Sequence, residues 1–131
     1  MMKIAILIFL LGHVAHGQGL DKYLWENRVV IIFNTTQNNH EVQEQLKAFQ
    51  RFSKEIEDRE IIVLVPKKEA KSELLKKFAL SNSFSGLILV GKDGGVKLRQ
   101  KLVVKPEVLF TLIDAMPMRQ SEMRKKAKGL D

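Results

Sequence analysis

The sequence contains no cysteine at all, and this absence removes more chemistry than any residue present supplies. A thiolate nucleophile, a redox pair, a cysteine zinc site and an iron–sulfur ligand set all require a sulfur that the chain lacks. Disulfide staples are excluded as well. Proline is scarce, with three residues, and tryptophan and tyrosine occur once each. Three histidines are present, and two of them, His13 and His16, lie close to the amino end. That leaves His40 alone in the body of the chain, so a histidine-rich metal site is not expected, and neither is a cofactor. The sequence has one long uninterrupted apolar run, Ile4–Leu11, which is shorter than the roughly 20 residues needed to cross a bilayer. No internal repeat, low-complexity tract or domain linker interrupts the remainder of the chain.

That apolar run comes after Met1, Met2 and Lys3 and gives way to small and polar residues, with Ala15 and Gly17 at the positions that precede a signal-peptidase cut. Residues 1–17 are therefore read as a cleaved signal peptide, and the mature chain as exported to a periplasmic or extracellular space. Residues 18–131 are of single-domain size. The formal charge is +7, and removal of Lys3 with the signal makes it +6. Such a charge favours anionic partners through long-range attraction. In an exported protein it points to a protein or an anionic envelope component rather than to nucleic acid. The mature chain holds no further candidate for an integral membrane span, and the sequence leaves the oligomeric state open.

The mature part alternates strand and helix patterns. Arg28–Phe33 is apolar at successive positions, as in a strand buried on both faces. A polar stretch, Asn34–Asn39, leads into one long amphipathic helix whose apolar positions run from Val42 to Ile56, with Asn38 and Glu41 at capping-box spacing. A second strand at Glu60–Val65 is stopped by Pro66, and Lys67–Ala79 reads as a second helix. Leu87–Gly91 and Val96–Gln100 flank Lys92-Asp93-Gly94-Gly95, a strong turn signal, and form an antiparallel hairpin. Pro106 suits the first turn of a last helix, which Met116-Pro117-Met118 interrupts before a basic end at 119–131. The order β-α-β-α-β-β-α, with a central mixed four-stranded sheet, is of the α/β class and resembles the core of the thioredoxin-like fold.

Three segments carry a closer resemblance. Leu20–Phe33, the hairpin Leu89–Arg99 with its Gly91-Lys92-Asp93-Gly94-Gly95 turn, and Ile113–Arg119 followed by Glu122-Met123 resemble the opening, the hairpin and the carboxyl end of the DUF4174 family. The resemblance covers nearly the whole mature chain and implies a thioredoxin- or peroxiredoxin-like domain in its short exported form. It does not imply the thiol chemistry of that fold. The stretch where such proteins place a reactive cysteine is here Asn34–His40, and Ser85 stands in the neighbourhood where many have a cis-proline.

Two sets of candidate contact residues remain. The amino end of the long helix presents free N–H groups that can hold an anion, so Thr35, Thr36, Asn38, Asn39 and His40 are candidates for a small-ligand or anion site, in an atypical enzyme or binding protein. Tyr23, Trp25, Arg119, Arg124, Lys125 and Lys126 are candidates for contact with a macromolecular partner. The leading expectation is a noncatalytic binding domain. The carboxylates Glu55, Glu57, Asp58 and Glu60 read as charged surface.

Overall fold

The computed structural model describes residues 19–129, so the expected signal peptide lies outside the described residues. A short 3-10 turn at Asp21–Tyr23 precedes β1 (Arg28–Ile32), α1 (Asn39–Arg51), α2 (Ser53–Asp58), β2 (Ile61–Leu64), α3 (Lys68–Lys77), β3 (Gly86–Val90), β4 (Val96–Lys101), α4 (Pro106–Asp114) and α5 (Pro117–Ala127). The sheet order is β2-β1-β3-β4. β1 runs parallel to β2, with Arg28 opposite Ile61, and antiparallel to β3, with Ile31 opposite Ile88. β4 closes the hairpin antiparallel to β3. The mixed four-stranded sheet is the one that the sequence pattern implies.

Alternation along the strands sorts their side chains into two cores. Val30, Ile32, Val63, Leu87 and Leu89 meet Val42, Phe49, Ile56, Leu109 and Ile113 on one face of the sheet. Val29, Ile31, Phe33, Leu64, Ile88 and Val90 meet Leu74 and Leu75 of α3, with Leu20 and Tyr23, on the other. Every residue of β1 and β3 is buried, and this two-sided burial is why Val29–Ile32 and Leu87–Val90 read as unbroken apolar runs.

One expectation needs correction. The long helix is not continuous. It breaks at Phe52 (φ −113°, ψ 31°), whose N–H turns back to the Phe49 carbonyl while its ring packs edge-on against Phe110, 5.9 Å between centroids. The basic end is largely helical, because residues 117–127 fold as α5. That helix buries only one of its side chains, Arg119, so charge rather than apolar packing docks it.

The hairpin turn depends on glycine at one place. Gly94 has φ +86°, its N–H donates to the Gly91 carbonyl, and a Cβ there would stand 3.0 Å from Leu24 Cδ2. Gly94→Ala therefore meets both an unfavourable φ and a close contact. It is expected to cost about 1–2 kcal/mol, seen as a lowered midpoint in thermal or urea unfolding. An unchanged midpoint would show that the turn relaxes freely.

Candidate functional site

The carboxyl end of β1 and the amino end of α1 form the end of the sheet where the sequence places its first candidate set. Asn38 organises it. Its side chain is almost fully buried, with Nδ2 donating to the Phe33 carbonyl (3.0 Å) and the Ser85 carbonyl (3.3 Å), while Oδ1 accepts from Thr35 N–H (2.7 Å). Asn38 thus ties the end of β1 to the segment entering β3. It makes no side-chain cap for α1, contrary to the capping-box spacing with Glu41, because its oxygen is already engaged by Thr35. Thr35 Oγ1 accepts from the N–H groups of Gln37 and Asn38, both at 3.2 Å. Lys71 Nζ donates to the Asn34 carbonyl at 2.8 Å and holds the loop from the α3 side.

The five candidate ligand residues do not converge. Thr35 and Asn38 line a groove of about 300 Å³ together with Gln37, Glu41, Ser83, Ser85, Lys101 and Leu102. Thr36, Asn39 and His40 are exposed and lie outside its lining. The groove offers hydroxyls, amides, one carboxylate and one ammonium. Sequence reasoning misses Glu41 and Lys101 as its charged walls, since they stand 60 positions apart and meet only when β4 folds back.

The opposite end of the sheet holds an ion-pair network that fastens α5 to the domain. Arg28, 1% exposed, forms a two-pronged pair with Glu122 at 3.2 Å for each arm, and Nη1 also donates to the Arg59 carbonyl at 2.9 Å. Lys92 Nζ donates to Glu122 Oε2 and Glu60 Oε1, both at 2.6 Å. Arg119 binds Asp58 (2.7 Å) and Asp114 (3.1 Å). Arg59 completes the set, pairing with Asp114 at 2.8 Å and lying over the Phe110 ring at 4.4 Å. Among the described residues no buried side-chain nitrogen or oxygen lacks a hydrogen-bond partner.

Glu122, Asp114 and Asp58 of this network titrate low. Partial burial works to raise Glu122, but hydrogen bonds and charge from Arg28 and Lys92 outweigh it and hold the group below the ordinary glutamate value. Asp114 shows the same balance, with burial opposed by Arg59 and Arg119. Asp58 is lowered by its hydrogen bond from Lys126, against burial, and further by Arg119. Asp58 is therefore a half-buried paired charge, and Glu60, though exposed, is paired with Lys92.

The second candidate set divides in the same way. Arg119, expected as a partner contact, is 4% exposed and spent on Asp58 and Asp114, so it is corrected to a docking residue of α5. Tyr23 is buried in the second core. Trp25 is 64% exposed, with φ +67° and its N–H donating to the Lys92 carbonyl at 2.7 Å. Arg124 and Lys125 are exposed, and Lys126 is exposed while paired to Asp58. Outward cations lie on α5, along β4, where Lys97, Arg99 and Lys101 are exposed, and also on and beside α3, where Lys67, Lys68, Lys76 and Lys77 are exposed. The arrangement can bind through exposed cations and one aromatic ring, and it holds no thiol anywhere in the chain. Among the described residues no helix is long and apolar enough to cross a membrane.

Comparison with known proteins agrees with this geometry. A family described as "Domain of unknown function (DUF4174)" matches residues 19–122. A reduced 2-Cys peroxiredoxin from Plasmodium vivax is similar in structure, with a TM-score of 0.59 and 12% identity over 78% of this chain and 84% of that one. The mitochondrial 2-Cys peroxiredoxin of Plasmodium falciparum gives a TM-score of 0.51 and 13% identity over 84% of this chain and 83% of that one. At these identities the likeness establishes a thioredoxin-like fold and nothing of chemistry. No curated protein matches the chain.

Proposed function

This chain belongs to the DUF4174 family, a domain of unknown function, and we propose that it acts as an exported, noncatalytic thioredoxin-like module that binds a macromolecular partner, a protein or an anionic envelope component. The observation that carries the reading is the engagement of Asn38 with Phe33, Thr35 and Ser85. At the end of the sheet where the Asn34–His40 loop enters α1, these polar groups satisfy one another instead of presenting a reacting atom. The composition of residues 1–17 supports export. The outward cations on β4 and α5, within a chain of formal charge +7, support an anionic or acid-rich partner.

Capture experiments with residues 18–131 as bait, on the native envelope or extracellular fraction, test the reading. One specific partner is expected, retained at low ionic strength and weakened as salt rises. Recovery of nothing specific at any ionic strength would overturn it. Peroxide or disulfide turnover by the purified, cofactor-free chain would overturn the noncatalytic part.

A further inference from the structure

The two edges of the sheet differ. β2 is buried at three of its four residues, whereas β4 is exposed at five of six. The ladder fixes the direction of the peptide groups on β4. Phe33 N–H donates to the Gly86 carbonyl at 2.8 Å, so Gly86, Ile88 and Val90 turn their peptide groups toward β1, and by alternation Leu87 and Leu89 turn theirs toward β4. Gln100 stands opposite Leu87 and Leu98 opposite Leu89. Leu98 and Gln100 are therefore spent on β3, and the N–H and C=O groups of Arg99 and Lys101 face away from the sheet. Both side chains are exposed, and among the described residues neither makes an ion pair, whereas Lys97 is tied to Asp93 at 3.0 Å.

An edge with unspent peptide groups accepts another extended chain, and charge selects which chain. A second copy pairing through the same residues would set Arg99 and Lys101 against Arg99 and Lys101, and like charges directly opposite are destabilising. An extended segment with acidic residues at alternate positions places its carboxylates against these cations while its backbone continues the ladder. We propose that β4 takes an acidic, extended segment of a partner protein as a fifth strand, aligned along Arg99 and Lys101. This rests on the reading of the chain as a binding module and names its partner as an acidic polypeptide rather than a lipid surface or a polysaccharide.

A ten-residue peptide alternating Glu with Val and Thr is a suitable probe, compared with a twin of identical charge N-methylated at alternate amides. The unmodified peptide is expected to bind and to slow amide hydrogen exchange at Arg99 and Lys101. The methylated twin is expected to bind about tenfold more weakly or worse, since it loses several backbone hydrogen bonds to β4. Arg99→Glu with Lys101→Glu should abolish binding while far-UV circular dichroism stays unchanged. Arg99→Pro should weaken binding more than Arg99→Gln, because only the proline removes the outward N–H, at a position where an edge strand tolerates it. Equal binding of the two peptides would overturn the proposal. So would equal competition by heparin or anionic vesicles without amide protection, or a dimer of the chain alone that charge reversal dissolves. A partner captured by the wild type and still captured by the charge-reversed variant would leave the binding module standing and refute the edge. Absence of any captured partner would refute the module itself.

Discussion

Gln45→Ala is expected to lower the unfolding free energy by about 3 kcal/mol or more, through loss of two buried backbone partners. Gln45 is fully buried on α1, yet its amide behaves as a piece of backbone. Nε2 donates to the Val104 carbonyl at 2.8 Å and Oε1 accepts from Val104 N–H at 2.6 Å. Through these bonds α1 pins the segment between β4 and α4. Alanine leaves both groups of Val104 buried and unpaired, and opens a cavity as well. For a domain of this size the loss corresponds to a fall of about 12 °C or more in melting temperature. Gln45→Leu should remain strongly destabilised, because volume is restored but the hydrogen bonds are not. Gln45→Glu adds a signature in pH. An ionised carboxylate faces the Val104 carbonyl and is repelled, while the protonated acid can donate to it, so the folded state raises the pKa of the introduced group. A raised folded pKa gives stability that is present below the unfolded value, about 4.3, and lost as pH rises through the folded value. The gap between Gln45→Glu and wild type should therefore be small near pH 4 and widen toward pH 7, measured by melts of both proteins at each pH. A gap independent of pH would show that the Val104 carbonyl does not sense the charge at position 45.

The contrast between Gln45 and its surroundings explains which parts of the molecule are legible in the sequence. β1, β3 and the Lys92–Gly95 turn are readable because their causes are local: successive apolar residues, or a glycine at positive φ. Val42 and Phe49 are readable as core for the same reason. Gln45 shares their face of α1, but its partner lies 59 positions away and no local pattern announces it. Arg28 reads as the first residue of a strand and becomes the most buried cation because Glu122, 94 positions on, arrives with α5. Arg119 misleads by the same logic, since a run rich in Arg and Lys reads as solvated until Asp58 and Asp114 are placed beside it. The candidate loop is legible as a segment but not as a site. Helix-start chemistry gives the position of Asn38, and only the approach of Ser85 shows that its side chain is already spent.

Glu122→Gln is the second large expected effect, and it tests whether charge docks α5. Arg28 and Lys92 are both nearly fully buried and converge on this one carboxylate. Removing its charge leaves one neutral acceptor in place of a carboxylate, so Arg28 keeps the Arg59 carbonyl and Lys92 keeps Glu60, but the two cations share no anion. Breaking a buried pair by removing one partner costs about 3–5 kcal/mol, and partial exposure of Glu122 brings the expectation below that range, to about 2–3 kcal/mol. Because α5 buries only Arg119, the loss should appear first as faster amide exchange and proteolysis within residues 117–127. Arg124→Gln and Lys125→Gln, on the exposed side of the same helix, should change stability by no more than about 0.5 kcal/mol. Acid separates the charge from the shape of the side chain. Glu122, Asp114 and Asp58 have folded pKa values below their unfolded ones, so their contribution is present above the unfolded values and lost as pH falls through the folded ones. Wild type should accordingly lose stability below about pH 4, and Glu122→Gln should lose less over the same range. The two melting curves then converge in acid and stand furthest apart near neutrality. Parallel curves would show that Glu122 acts through packing, and that α5 is held by something other than its ion pairs.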